Sequence, residues 1–181
     1  MADEPIKPRS AAFIFIFITV MLDMLAIGII IPVLPKLIEH FMDGNTARAA
    51  EIVGIFGSAW AIMQFVFSPL LGSLSDRFGR RPVVLLSNLG MGLDYILMAL
   101  APHLSWLFVG RLISGITAAS VSTAGAYIAD VTPPENRAKN FGMLGAAFGI
   151  GFILGPAVGG ILGSYNVHYP FWAFAAIPKY N

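Results

Sequence analysis

The chain has 181 residues, of which 57% are hydrophobic and 12% charged, with a formal net charge of +1, and its mean hydropathy is +0.77. A composition this apolar excludes an ordinary water-soluble domain, and the absence of cysteine excludes a disulfide framework or a thiolate metal site. The basic residues come in short clusters between apolar segments, not in the long runs that bind nucleic acid, so no nucleic-acid partner is expected.

Residues 1–10 form a short polar amino terminus carrying Lys7 and Arg9, and an apolar run follows. That arrangement has the outline of a secretory signal, but the run is too long, contains Asp23 and is followed by further segments of the same kind. It reads as a first membrane span. Crossing a hydrocarbon core of about 30 Å takes about 20 helical residues, and only helices or closed barrels satisfy the backbone there. Alternating strand patterns are missing, so helical spans are predicted at 11–38, 52–74, 82–101, 105–129 and 140–163. A sixth begins at Tyr169 and is incomplete, and from Ile177 onward the sequence stops resembling a membrane helix. The predicted fold class is all-α membrane, with 11–181 as one helical bundle in a lipid bilayer.

Orientation follows from Lys and Arg, which are retained on the cytoplasmic side in short connections. One side collects Lys7, Arg9, Arg77, Arg80, Arg81, Arg137 and Lys139, and the other has Lys36 and Arg48. The amino terminus and the 75–81 and 130–139 connections are expected in the cytoplasm, and 39–51 outside. A short repeat is also visible: Pro69, Gly72 and Leu74 recur as Pro156, Gly159 and Ile161 at an offset of 87 residues. The copies lie in the second and fifth spans, an offset of three spans, which is the construction of an inverted transporter repeat.

Three ionisable residues fall inside the predicted spans: Asp23, Asp94 and Arg111. At 1.5 Å per residue the two aspartates lie roughly 18 Å from the cytoplasmic end, and Arg111 about 20 Å from it. A charge at the bilayer centre costs about 2.5 to 3.5 kcal/mol even on lenient scales, so all three should face an internal cavity. A carboxyl balanced between desolvation and a nearby Arg can load and release a proton as access alternates, which is what coupling to a proton gradient requires. The alternative role is structural, as an Asp–Arg pair or a cap on broken backbone. Gln64 is a candidate for hydrogen-bonding a substrate or a neighbouring helix. Trp60, Phe67 and Tyr95 are candidates for lining a pocket for a planar ligand, with packing as the alternative.

The segment Gly72-Ser-Leu-Ser-Asp76-Arg77-Phe-Gly79-Arg80-Arg81 is the most specific signature in the chain. Its glycines allow a tight reversal, Asp76 is placed to cap the next helix, and the arginines anchor at headgroups. Asp130 and Glu135 are expected to cap helix ends or to pair with Arg137. In the fifth span Gly151, Gly155, Gly159 and Gly163 recur every fourth residue around Pro156, forming a ridge for close helix approach, either static or sliding.

Together these stretches resemble the major facilitator superfamily, and within it the tetracycline-type drug/proton antiporters. Gly72 to Arg81 is similar to the signature loop between helices two and three. Gly151-Phe-Ile-Leu-Gly155-Pro156-Ala-Val-Gly159-Gly160 resembles the fifth-helix antiporter motif, and Arg111 with Gly115 the fourth-helix motif. Leu22-Asp23, Ile31-Pro32-Val33-Leu34-Pro35, Met63-Gln64 and Asp94-Tyr95 resemble stretches of bacterial tetracycline exporters. The resemblance implies an amino-terminal bundle of five full helices plus an incomplete sixth, multi-pass in the bacterial inner membrane. It implies that Asp23 and Asp94 couple the exchange of a metal-chelated tetracycline cation, or another amphiphilic drug, for a proton, with Arg111 and Gln64 beside them. Gly72, Asp76, Arg77, Gly79, Arg80 and Arg81 would form a gating loop that stabilises one gate state through the other half.

Members of that superfamily have about twelve spans in two halves, so a missing carboxy-terminal half is an expected partner, and the 181-residue chain alone is expected not to transport. No cofactor is expected beyond protons as the coupling ion, and the sequence lacks both a phosphate-binding Gly-Lys-Ser/Thr loop and the parts of an intramembrane hydrolase, so no enzyme activity is expected. The competing expectation is a non-transporting membrane subunit that packs on another helical protein through its glycine ridge.

Overall fold

Apolar segments of this length fold as helices because a bilayer offers no partner for an open backbone N–H or C=O. A computed structural model describes residues 10–118 and 120–175. Among these it contains seven α-helices and no strand: α1 Ser10–Phe41, α2 Thr46–Phe78, α3 Arg80–Leu100, α4 Leu104–Thr117, α5 Ser120–Val131, α6 Pro134–Tyr165 and α7 Tyr169–Ala175. Lys7, Arg9 and the stretch 177–181 lie outside the described residues. Five stretches are long and apolar enough to cross a membrane, with α4 and α5 together forming the fourth, Leu104–Val131.

The helices overrun the spans predicted from hydropathy. Hydropathy marks only the segment in hydrocarbon, whereas a 33-residue α2 is about 50 Å long and extends well beyond it. The connections shrink accordingly. Between α1 and α2 only 42–45 remain, with Asp43 and Gly44 at positive φ and the Asn45 side chain accepting a hydrogen bond from the Arg48 N–H at 3.0 Å as an N-cap. The 75–81 connection reduces to Gly79, at φ 95° and ψ 160°. That conformation is open to glycine alone. Gly79→Ala is therefore expected to cost about 1–3 kcal/mol, read as a lower unfolding midpoint of the chain in detergent.

The expected Asp76 cap is not made, because Gly79 itself occupies the N-cap of α3 and no side chain caps it. Asp76 instead pairs with Arg80 across the turn. The fourth span also departs from an uninterrupted helix. It breaks at Ala118, which sits at φ −72° and ψ 77° with its N–H on the Gly115 carbonyl. Thr117 Oγ1 donates within its own helix, 3.0 Å from the Ile113 carbonyl oxygen, the local competition by which Ser and Thr loosen helices.

The core centres on α1, whose Ile16, Val20, Ile29, Val33 and Leu37 are buried. Its principal neighbour is α6. Gly151, Gly155 and Gly159 all face it: a side-chain carbon added at Gly155 would lie 2.6 Å from the Gly28 Cα and 2.6 Å from the Leu25 carbonyl oxygen. The ridge is a backbone-to-backbone seam. Gly160 lies off it and has nothing nearby. The Pro69–Gly72 copy of the repeat is packed differently, since Gly72 faces open space whereas Gly159 meets Ile29. Much of α2 is uncovered, with Ile55, Ile62, Phe65, Val66 and Leu70 exposed.

Candidate functional site

A cavity of about 380 Å³ opens between α1, α2, α3, α4 and the start of α5. Its wall is built by helical spacing: Trp60, Gln64 and Ser68 stand at successive turns of α2, and Arg111 and Ser114 one turn apart on α4. Ile27, Ile31 and Met91 supply an apolar side, and no Asp or Glu is among the lining residues. Trp60 Nε1 donates to Ser114 Oγ at 3.0 Å, tying α2 to α4 at the wall.

Asp94 is fully buried, at 0% exposure, and forms an ion pair with Arg111 through Oδ2 and Nη2. It fits against α4 because residue 110 is glycine: a carbon there would fall 2.5 Å from Asp94 Oδ1. Arg111 thus has one side on a buried carboxylate and another on the cavity. Asp23 is also buried, at 5% exposure, and does not line the cavity. It lies within electrostatic reach of Tyr95, whose hydroxyl donates to the Ala26 carbonyl on α1.

Of the residues singled out by sequence, Gln64, Arg111 and Trp60 reach the cavity, while the expectation that Asp23 and Asp94 face it is corrected. A carboxylate with an Arg in front of it is better solvated by the guanidinium than by the cavity, so it stays behind the wall. Tyr95 is a buried link between helices rather than part of the lining, and Phe67 is not on the wall either. Ser87 and Ser114, which do line it, carry no sequence signal beyond Ser114 standing three residues from Arg111.

At the end of the bundle that carries the Gly79 turn, Arg80 gathers two acids. Its Nε donates to Asp130 Oδ2 at 3.0 Å, and its Nη1 to Asp76 and to Ser75 Oγ, the latter at 3.2 Å. Asp130 therefore pairs with Arg80, not with Arg137. Arg137 instead donates to the carbonyls of Thr132 and Ala129, at 3.2 and 3.1 Å, closing the end of α5. The network ties α2, α3 and α5 together, and Arg77 stacks over Phe78 at 5.4 Å.

The Major Facilitator Superfamily model matches residues 16–178. The chain belongs to the major facilitator superfamily. It is a multi-pass membrane protein with five membrane-length helices. It is 46% identical over 170 residues to the class C tetracycline resistance protein of Escherichia coli, which covers 94% of this chain and 42% of that protein. It is 51% identical over 160 residues to the class E protein of Escherichia coli, covering 88% of this chain and 39% of the relative. The chain spans about two fifths of the length of these relatives and matches their amino-terminal half. Among solved structures it is similar to the human organic anion transporter MFSD10, with a TM-score of 0.80 and 29% identity, covering 95% of this chain and 46% of that one. The major facilitator fold places the cavity and the Asp94–Arg111 pair in one bundle.

Proposed function

We propose that the chain serves as one half of a secondary antiporter that exports a tetracycline-like or other amphiphilic drug in exchange for protons. The observation that carries this reading is the Asp94–Arg111 pair, with the acid sealed behind the wall and the arginine on it. When Asp94 takes up a proton it loses its charge and Arg111, which stays protonated, becomes a lone cation at the cavity wall. Two unit charges 8 Å apart interact by about 2 kcal/mol at an effective dielectric of 20, so a cationic or metal-chelated drug is expelled. Loss of the proton neutralises Arg111 and readmits the drug. Proton and drug then compete without sharing a site, which is the sign that exchange demands.

The same proposal has the amino terminus in the cytoplasm and a bacterial inner membrane as the host membrane. In support, the Arg80–Asp130 contact brings the Gly79 turn and the α5–α6 junction to one end, with Arg77, Arg81, Arg137 and Lys139 nearby in sequence. No cofactor is proposed, and the relatives' printed names support tetracycline as the drug to try first.

The test is to join the chain to the remaining length of the class C relative and to measure tetracycline export by cells. Export is expected, and Asp94→Asn, which fixes the neutral state, is expected to reduce it at least tenfold. Undiminished export by that variant would remove the antiporter reading and favour a subunit that only packs through the exposed α2 face.

A further inference from the structure

Helical spacing puts two polar side chains one turn apart on the α4 wall of the cavity, Arg111 and Ser114. Both are buried, at 8% and 9% exposure. Arg111 Nη2 is taken by Asp94, whereas Arg111 Nε makes no hydrogen bond among the described residues. Ser114 Oγ accepts the Trp60 N–H, which leaves its own hydroxyl proton to donate. Gln64 adds amide N–H groups from α2, and no Asp or Glu lines the wall. A buried donor without an acceptor is costly, so the wall suits a ligand that brings acceptors.

The rest of the lining is largely apolar, with Ile27, Ile30, Ile31, Met91 and Val121. A volume of about 380 Å³ lies within the range of small-molecule sites, roughly 300–1,000 Å³. Charge decides what enters. With Asp94 ionised the Asp94–Arg111 pair is neutral, and what the guanidinium offers an anion the carboxylate behind it takes back. With Asp94 protonated, Arg111 carries an unbalanced positive charge at the wall, and an anion supplies the missing counter-charge. Other charges stand apart from this pair. Of the helices packed on α3, α7 has no charged residue, and α5 carries Asp130, which Arg80 holds. The charges of α2 are at its ends, Arg48 and Glu51 at one and Asp76 and Arg77 at the other. Asp23 on α1 is the second buried acid, within electrostatic reach of Tyr95, the residue after Asp94.

We infer that the cavity binds a lipophilic organic anion, such as an aromatic carboxylate, with its charged group on Arg111 Nε and Ser114 Oγ, and that binding takes up one proton on Asp94. The proton comes from bulk water and adds to a carboxylate oxygen of Asp94, and no other covalent bond changes. By linkage the anion favours the protonated state and a cationic drug the ionised one, so each weakens the binding of the other. The inference rests on Asp94 and Arg111 acting as the antiporter reading has them, but it is measured by binding and not by export.

The probe is 2-naphthoate, with uncharged 2-naphthamide as its counterpart, titrated calorimetrically into the 181-residue chain in lipid nanodiscs and into empty nanodiscs. At pH 6 the chain is expected to bind the anion at least tenfold more tightly than the amide, and the anion affinity is expected to fall at least tenfold by pH 9. Asp94→Asn is expected to keep the pH 6 affinity at pH 9, and Asp23→Asn to leave the pH dependence in place. Adding Arg111→Met to Asp94→Asn is expected to abolish the preference for the anion. Absent binding, or equal binding of anion and amide, overturns the inference. So does a pH dependence that survives Asp94→Asn or vanishes in Asp23→Asn. Should Asp94→Asn not fold, the unaltered chain and Ser114→Ala decide: an anion affinity that falls with rising pH and is weakened by Ser114→Ala supports the inference, and failure of either overturns it. Drug export by the joined protein is a separate readout. Export without anion binding sinks this inference alone, and anion binding without export sinks the antiporter reading alone.

Discussion

Replacing Arg111 by Met is expected to destabilise the detergent-solubilised chain by about 3–5 kcal/mol, because it leaves a carboxylate buried with its partner removed. The reason is geometric. Asp94 is fully buried and packs so closely on Gly110 that a carbon there would fall 2.5 Å from its Oδ1. Replacing both residues, Asp94→Asn with Arg111→Met, is expected to recover most of the loss, since a neutral pair carries no uncompensated charge. Denaturant unfolding of the two single variants and the double variant measures the coupling. Additive costs in that cycle would mean that the pair does not act as a unit.

The second large effect is expected at the α1–α6 seam. Gly155→Val would place two carbons beyond a first one that already falls 2.6 Å from both the Gly28 Cα and the Leu25 carbonyl oxygen. Those neighbours are backbone and cannot rotate aside, so the helices must separate, at a cost of about 3 kcal/mol or more. Gly160, five residues on, is the internal control. Nothing lies near it, and Gly160→Ala is expected to stabilise by up to about 1 kcal/mol through helix propensity alone. Thermal unfolding of the two variants side by side checks the contrast. Equal effects would show that the glycines set local helicity and not helix spacing.

Among the described residues hydropathy located each of the five membrane-length helices, because the bilayer imposes a length and forbids open backbone. It misjudged their ends, since α2 and α6 continue as helices into water where apolarity no longer marks them. The break at Ala118 was not legible: Thr117 and its neighbours read as ordinary small residues, and whether a hydroxyl turns on its own backbone depends on what stands opposite. At the site, depth counted along the chain put Asp23, Asp94 and Arg111 in one slab without choosing a pair, and the structure brings Asp94 and Arg111 together. Which of the two would face the cavity is a matter of helix rotation. Asp94 turns inward by virtue of Gly110 on another helix, and a single sequence carries no mark of that meeting. The same holds for Asp130, whose partner Arg80 is fifty residues away, while Arg137, seven residues distant, had looked the natural choice.

The Gly79 turn has a mechanical implication. With one residue joining α2 to α3, and Arg80 at the start of α3 clasping Asp76 on α2 and Asp130 on α5, the hairpin has no slack. A tilt of α2, whose outer flank is bare, is handed to α3 as to the second arm of a lever, and with it to the carboxylate that α3 carries. Whatever leans on that flank is thereby geared to the acid inside.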